Sequence, residues 1–168
     1  LVLPFRFTTA FDEIAKLTDG KIVRQVLMAL NKAVDIAVSN VPVFDGETLV
    51  VLDVSGSMQG KPAQIGSLFS AVLIKSNNAD FMVFADNAAY RNVNPMDSTI
   101  TIANSIRFAS GGTNFQAIFN TANKKYDRVV ILSDMQGWVG YNAPTVQFNA
   151  YKQRVGANPF LYSFDLNG

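Results

Sequence analysis

Apolar residues recur at three- and four-residue spacing between Lys21 and Ser39, at Ile22, Val23, Val26, Leu27, Leu30, Val34, Ala37 and Val38. That is the period of a helix with one face turned inward. Asn40 and Pro42 stop it. A shorter helix is expected before it, opened by Thr9 and Asp12 as a capping box with Asp in place of Glu, and running through Ile14 and Leu17 to the break at Thr18-Asp19-Gly20. The period then changes. Leu49-Val50-Val51-Leu52 is a continuous apolar run preceded by the turn residues Asp45-Gly46, as in a strand buried on both faces. Pro62 stands where a first helical turn tolerates proline, and Ile65, Leu68, Phe69, Val72 and Leu73 give the following helix an apolar face up to Asn77-Asn78. Phe81 to Phe84 reads as a second strand, with Tyr90 to Val93 as a short third one beside it. A helix from Ser98 to about Phe108, a helix from Asn114 to Asn123, a strand from Arg128 to Leu132, a helix from Ala143 to Arg154 and a strand from Phe160 to Phe164 complete the series.

Alternating strands and helices, with strands that are nearly all apolar, predict an α/β fold: a doubly wound, mostly parallel sheet with helices on both faces. Residues 1–46 are expected to form an N-terminal helical extension packed on the core, too short to bury a core of their own, and residues 47–168 the α/β domain proper. The chain starts at Leu1 rather than Met, as a processed product or an excised piece would. A complete doubly wound sheet often carries one more strand and helix beyond the point where this sequence ends.

Composition narrows the chemistry. There is no Cys and no His, which removes thiolate and imidazole ligands, thiol nucleophiles and any Ser-His-Asp relay, so metal chemistry must use oxygen ligands. Absence of cysteine suits a reducing, cytoplasmic setting. The formal net charge is +1 with 16% charged residues, and no basic run exceeds Lys124-Lys125, so the electrostatic footprint of a nucleic-acid binder is missing. The apolar stretches are far shorter than the ~20 residues a membrane span requires, and the start has no signal-peptide pattern. A soluble chain without a membrane partner is expected.

In open α/β sheets ligands gather at the carboxyl ends of strands. Three such places carry chemistry here: Asp53-Val54-Ser55-Gly56-Ser57 after the first strand, Gly111-Gly112-Thr113-Asn114 ahead of a helix, and Ser133-Asp134 after the strand ending at Leu132. Asp53, Ser55, Ser57, Thr113 and Asp134 together offer the hard oxygen donors that Mg²⁺ or Mn²⁺ takes, and two carboxylates offset most of the ion's charge. At most five protein ligands leave one coordination position for an external oxygen, such as a carboxylate on a protein partner. Each piece also has a plain structural explanation: Asp-x-Ser-Gly-Ser makes ordinary turns, Gly111-Gly112 makes a flexible loop, and Thr113 caps helices. Asp86-Asn87 reads as a turn rather than a sixth ligand. Gln136, Trp138 and Tyr141 fall in the loop after Asp134, where an exposed aromatic could touch a partner or pack over the sheet edge.

The Asp53-x-Ser55-x-Ser57 string, with Thr113 after a double glycine and Asp134 at a later strand end, resembles the metal-ion-dependent adhesion site of von Willebrand factor A domains. The likeness runs from about Glu47 to Phe164 in element order. It implies direct ligation by Ser55, Ser57 and Thr113, with Asp53 and Asp134 acting through water. A narrower resemblance lies in Pro4-Phe5-Arg6-Phe7, Asn40-x-Pro42, Asp45-Gly46-x-Thr48-Leu49, Asn94-Pro95-Met96-Asp97-Ser98 and Ser163-Phe164-Asp165-Leu166-Asn167-Gly168. These look like the C-terminal part of TROVE proteins, the Ro autoantigen group, in which an A-type domain is joined to a ring of helical repeats that binds noncoding RNA. That resemblance implies a ribonucleoprotein parent, with RNA held by a ring that is absent from this sequence.

Two other functions stand beside the binding module. Asp53 with Mg²⁺ could run phosphoryl transfer, but an acid two residues on, a nearby Lys and a phosphate cradle are all missing, so no enzyme is expected. A module contacting RNA directly through Lys61, Lys75 or Arg107 would need those residues clustered on one face.

Overall fold

The computed structural model describes residues 4–18, 20–137 and 143–167. Its centre is a five-stranded sheet of β1 (Thr48–Asp53), β2 (Asp80–Phe84), β3 (Ala88–Tyr90), β4 (Arg128–Ser133) and β5 (Phe160–Asp165), in the order β3-β2-β1-β4-β5. Every pairing is parallel except β2 with β3. Six helices accompany it: α1 (Pro4–Ala15), α2 (Lys21–Val38), α3 (Lys61–Asn77), α4 (Thr99–Ser105), α5 (Phe115–Thr121) and α6 (Pro144–Val155).

The apolar run of β1 occupies the middle of the sheet and is buried at all six positions. Side chains alternate across a strand, so Leu49 and Val51 face Ile118 and Phe119 of α5 and Tyr151 of α6, while Val50 and Leu52 face Met58 and Leu73 and Ile74 of α3. Each such side chain contributes roughly 1.5 to 3 kcal/mol by leaving water. The α3 helix presses closely on β1: a Cβ at Gly66 would stand 2.7 Å from the Leu52 Cδ1, too near for any larger residue without movement. The helical extension joins the core through a third cluster, in which Phe7 and Phe11 of α1 pack with Val34 and Val38 of α2, Leu68 and Val72 of α3, and Ile100 of α4. Asp35 of α2 ties the same elements together by accepting from the Thr99 backbone N–H at 2.9 Å, the Thr99 hydroxyl at 2.6 Å and the Lys75 ammonium at 3.2 Å. Burial pushes the Asp35 carboxyl up, but the hydrogen bonds from Thr99 and Lys75 outweigh it and hold the group below its usual range.

Three elements differ from the sequence expectation. The first helix starts at Pro4, so Thr9 lies inside it rather than capping it; packing of Phe7 and Phe11, one turn apart, outweighs the local capping signal. The third strand is Ala88–Tyr90 rather than Tyr90 to Val93, because the chain reverses at Asp86-Asn87 and pairs at once, with Ala88 opposite Phe84 and Tyr90 opposite Met82. The helix after Ser98 ends at Ser105, well short of Phe108. An extended backbone there lets Ile106 and Phe108, two residues apart, turn to the same side and pack against the cluster between α3 and the sheet. Ser98 does cap that helix, accepting from the Thr101 N–H.

The edge strand β5 is exposed along its whole length. Phe160, Leu161, Tyr162 and Phe164 all reach solvent, with Phe164 edge-on to Phe69 at 5.5 Å. Among the described residues no helix is long and apolar enough to cross a membrane.

Candidate metal centre

In this strand order the chain leaves β1 toward β2 on one side and later returns to β4 on the other, which opens a crevice at the carboxyl ends of β1 and β4. Asp53 is the last residue of β1 and Ser133 the last of β4. The parallel register pairs Leu52 with Leu132, so the next residues along, Asp53 and Ser133, stand side by side. The Ser133 hydroxyl donates to the Asp53 Oδ2 at 2.6 Å and accepts from the Met135 N–H at 2.9 Å. The Ser55 N–H donates to the other Asp53 oxygen at 2.9 Å. Asp53 is wholly buried. Its burial, with a smaller push from the nearby Asp134 carboxylate, raises its pKa above the ordinary value despite those hydrogen bonds.

Beyond Asp53 the chain runs through Ser55 into a single 3-10 turn, Gly56–Met58, closed by the Met58 N–H donating to the Ser55 carbonyl. This turn puts the two hydroxyls together, with Ser55 Oγ 3.2 Å from Ser57 Oγ. The Thr113 hydroxyl, 58 residues further on, donates to Ser55 Oγ at 2.9 Å. Two backbone hydrogen bonds hold the two loops together, Ala109 N–H to the Val54 carbonyl at 2.8 Å and Gly56 N–H to the Gly111 carbonyl at 3.2 Å, while Val54 N–H ties the first loop to the Phe84 carbonyl of β2 at 2.8 Å. Ser55 and Thr113 are buried, while Ser57 is exposed at the open side. Asn114 caps α5, its side chain accepting from the Gln116 N–H, so Thr113 is free of the capping role and its hydroxyl turns to Ser55.

Asp134 directly follows β4, close enough to Asp53 for its carboxylate to act on that group. Its Oδ1 accepts from the exposed Gln136 N–H at 3.3 Å, and its Oδ2 is buried with no hydrogen-bond partner. A buried carboxylate oxygen left unpaired is costly, and either a water molecule or a cation satisfies it. Met135, directly after it, has φ 57, a left-handed conformation rare for a residue with a branched or long side chain. Among the described residues no cluster of three or more His, Cys, Asp or Glu side chains gathers; the donors here are two carboxylates and three hydroxyls. Hard oxygens of this kind suit Mg²⁺ or Mn²⁺ and offer nothing to a soft metal.

The sequence marks Ser133 only as the neighbour of Asp134 and gives it no role; its place beside Asp53, as a donor to that carboxylate, follows from the parallel register. Trp138 and Tyr141 lie outside the described residues. Of the three basic residues considered for RNA, Lys75 is engaged by Asp35 and by the Asp97 carbonyl.

A mostly parallel sheet flanked by helices, with Asp-x-Ser-x-Ser at the end of its central strand, defines a von Willebrand factor A-type, Rossmann-like domain. No family model matches the chain. RNA-binding protein RO60 of Deinococcus radiodurans is 30% identical to it over 155 residues, which cover 83% of this chain and 29% of that protein. The crystal structure of the Deinococcus radiodurans RO (RSR) protein matches its fold with a TM-score of 0.73 and 24% sequence identity, over 99% of this chain and 38% of that one. This chain is related to the TROVE, or Ro-like, proteins, and spans less than a third of the length of the curated relative it matches.

Proposed function

We propose that this chain is the metal-dependent binding module of an RNA-associated, Ro-like protein, and that it captures an acidic group of a protein partner through Mg²⁺ or Mn²⁺ held by Asp53, Ser55, Ser57, Thr113 and Asp134. The observation that carries the metal reading is the spacing of the hydroxyls. Ligands adjacent on an octahedron with bonds of about 2.1 Å are about 3.0 Å apart, and Ser55 Oγ lies 3.2 Å from Ser57 Oγ and 2.9 Å from Thr113 Oγ1. The unpartnered, buried Asp134 Oδ2 adds support.

In this reading Ser55, Ser57 and Thr113 are direct ligands, and Asp53 and Asp134 balance the charge through water. The ion would supply a Lewis-acidic position that accepts an external carboxylate oxygen. The protein's own part is to hold the hydroxyls in place before the ion arrives: Ser133 and the Ser55 N–H pin Asp53, and the backbone bonds between the two loops bring Thr113 to Ser55. The RNA association is supported by the 30% identity to a protein named for RNA binding, with noncoding RNA engaged by the rest of the parent protein. In this reading the module binds its partner without turnover.

Isothermal titration with Mn²⁺ tests the assignment. One-site binding that weakens at least about tenfold in Thr113→Ala is the expected result, since a lost ligand or its orienting partner costs at least that much. Equal affinity in the native chain and the variant would remove Thr113 from the site.

A further inference from the structure

We infer that Asp86 is a positioning residue for this centre: its carboxylate fixes the Gly111-Gly112-Thr113 loop so that the Thr113 hydroxyl is held against Ser55. The inference rests on the metal-binding reading of the site and extends it to a residue that lies outside the ligand set.

Asp86 sits in the turn between β2 and β3. Its Oδ1 accepts from the Gly112 N–H at 3.0 Å, and its main-chain carbonyl accepts from the Asn114 side-chain amide at 3.2 Å. The neighbouring Ala85 carbonyl accepts from the Asn114 N–H at 2.8 Å. The turn therefore grips the residue before Thr113 and the residue after it. The second carboxylate oxygen lies close to the loop as well: a Cβ on Gly111 would stand 2.6 Å from Asp86 Oδ2. Glycine at 111 leaves room for the Asp86 carboxylate in its present position. From the opposite side the Gly56 N–H holds the Gly111 carbonyl at 3.2 Å. The loop is thus clamped between Asp86 and the Ser55-Gly56 turn, and the hydroxyl that meets Ser55 at 2.9 Å belongs to the residue in the middle of that clamp.

Asp86 is exposed, and none of the apolar clusters includes it. Removing its side chain opens no cavity in the core. A hydrogen bond to a charged acceptor is stronger than a neutral one, but an amide oxygen can still accept from Gly112, so Asn tests the hydrogen bond apart from the charge.

The full chain is used throughout, with Mn²⁺ alone as the probe. In isothermal titration Asp86→Ala is expected to weaken Mn²⁺ binding about tenfold, the effect typical of a residue that orients a ligand. The melting temperature should move little, and Asp86→Asn should recover most of the affinity. A merely structural role would add to the loss caused by Thr113→Ala, whereas a residue acting through Thr113 has no further effect once that hydroxyl is gone. Hydrogen exchange at the Gly112 amide, followed by NMR without metal, should be faster in Asp86→Ala than in the native chain. Native Mn²⁺ affinity in Asp86→Ala, or a fully additive loss in the double variant, overturns the inference and leaves the metal reading intact. Absence of Mn²⁺ binding by the native chain overturns both, and the Gly112 exchange then shows whether the clamp survives as a feature of the fold alone.

Discussion

Asp53→Asn is expected to abolish the response of the protein to Mg²⁺ while leaving the metal-free fold within about 1 kcal/mol of its native stability. Two features lead there. The Asp53 carboxylate is buried, and its charge is opposed by that burial and by Asp134, so the neutral amide loses no favourable charge in the absence of a cation. Its hydrogen bonds can also be kept: the amide oxygen accepts from the Ser55 N–H, and the amide nitrogen donates to the Ser133 hydroxyl after that hydroxyl rotates. The pH dependence has a definite sign. A carboxyl whose folded pKa is raised binds protons more tightly in the native state than in the unfolded one, so metal-free native protein loses stability as pH rises from the ordinary carboxylate value, about 3.9, through the folded value. The Asn variant lacks that decline. With Mg²⁺ at about a hundredfold its dissociation constant, the native chain gains about 2.7 kcal/mol, roughly 5 to 10 °C in melting temperature for a domain of this size. Thermal denaturation with and without Mg²⁺ checks both halves. A shift of native size in the variant would exclude Asp53 from the centre.

Leu52→Ala is expected to cost about 3 to 4 kcal/mol, near the middle of the roughly 2 to 5 kcal/mol found for leucines truncated in tightly packed interiors. Leu52 is fully buried in β1, one residue before Asp53, among Met58, Leu73 and Leu132. The close approach of α3 at Gly66 is shaped around its Cδ1. Because α3 and the sheet are held by many other side chains, collapse into the vacated space is limited and most of the cavity persists. Denaturant titration should show a lower midpoint with unchanged slope, the mark of lost stability without a changed unfolded state. A loss below about 1 kcal/mol would mean that α3 settles onto β1 without Leu52, contrary to the packing described.

Much of this fold can be read from the chain because its strands are continuous apolar runs. Leu49 to Leu52 and Val129 to Leu132 have no polar face, and only a central position between two helical layers accommodates that. Where the reading failed, a distant contact decided. Thr9 and Asp12 carry a local capping signal, yet α1 begins at Pro4 because Phe7 and Phe11 meet side chains from three other helices. Ile106 and Phe108 fit a helical pattern as well as an extended one, and the cluster beside α3 selects the extended form.

The candidate site shows the same division. Asp53, Ser55, Ser57, Thr113 and Asp134 stand out because each follows a strand or a glycine pair, and the fold brings the hydroxyls of Ser55, Ser57 and Thr113 into contact. Ser133 was legible in principle, since the β1–β4 register puts it beside Asp53. Asp86 was not: its turn composition explains its presence fully, and only its hydrogen bond to an amide 26 residues away reveals what it grips.

Partner capture requires above all that one ion be held where these loops meet. Anomalous diffraction from crystals of the native chain soaked in Mn²⁺ tests this most directly. The expected map has one strong peak within direct bonding distance of the Ser55, Ser57 and Thr113 hydroxyls, with Asp53 and Asp134 behind it. A map with no peak there at saturating Mn²⁺, or with its strong peak on other residues, would contradict the account.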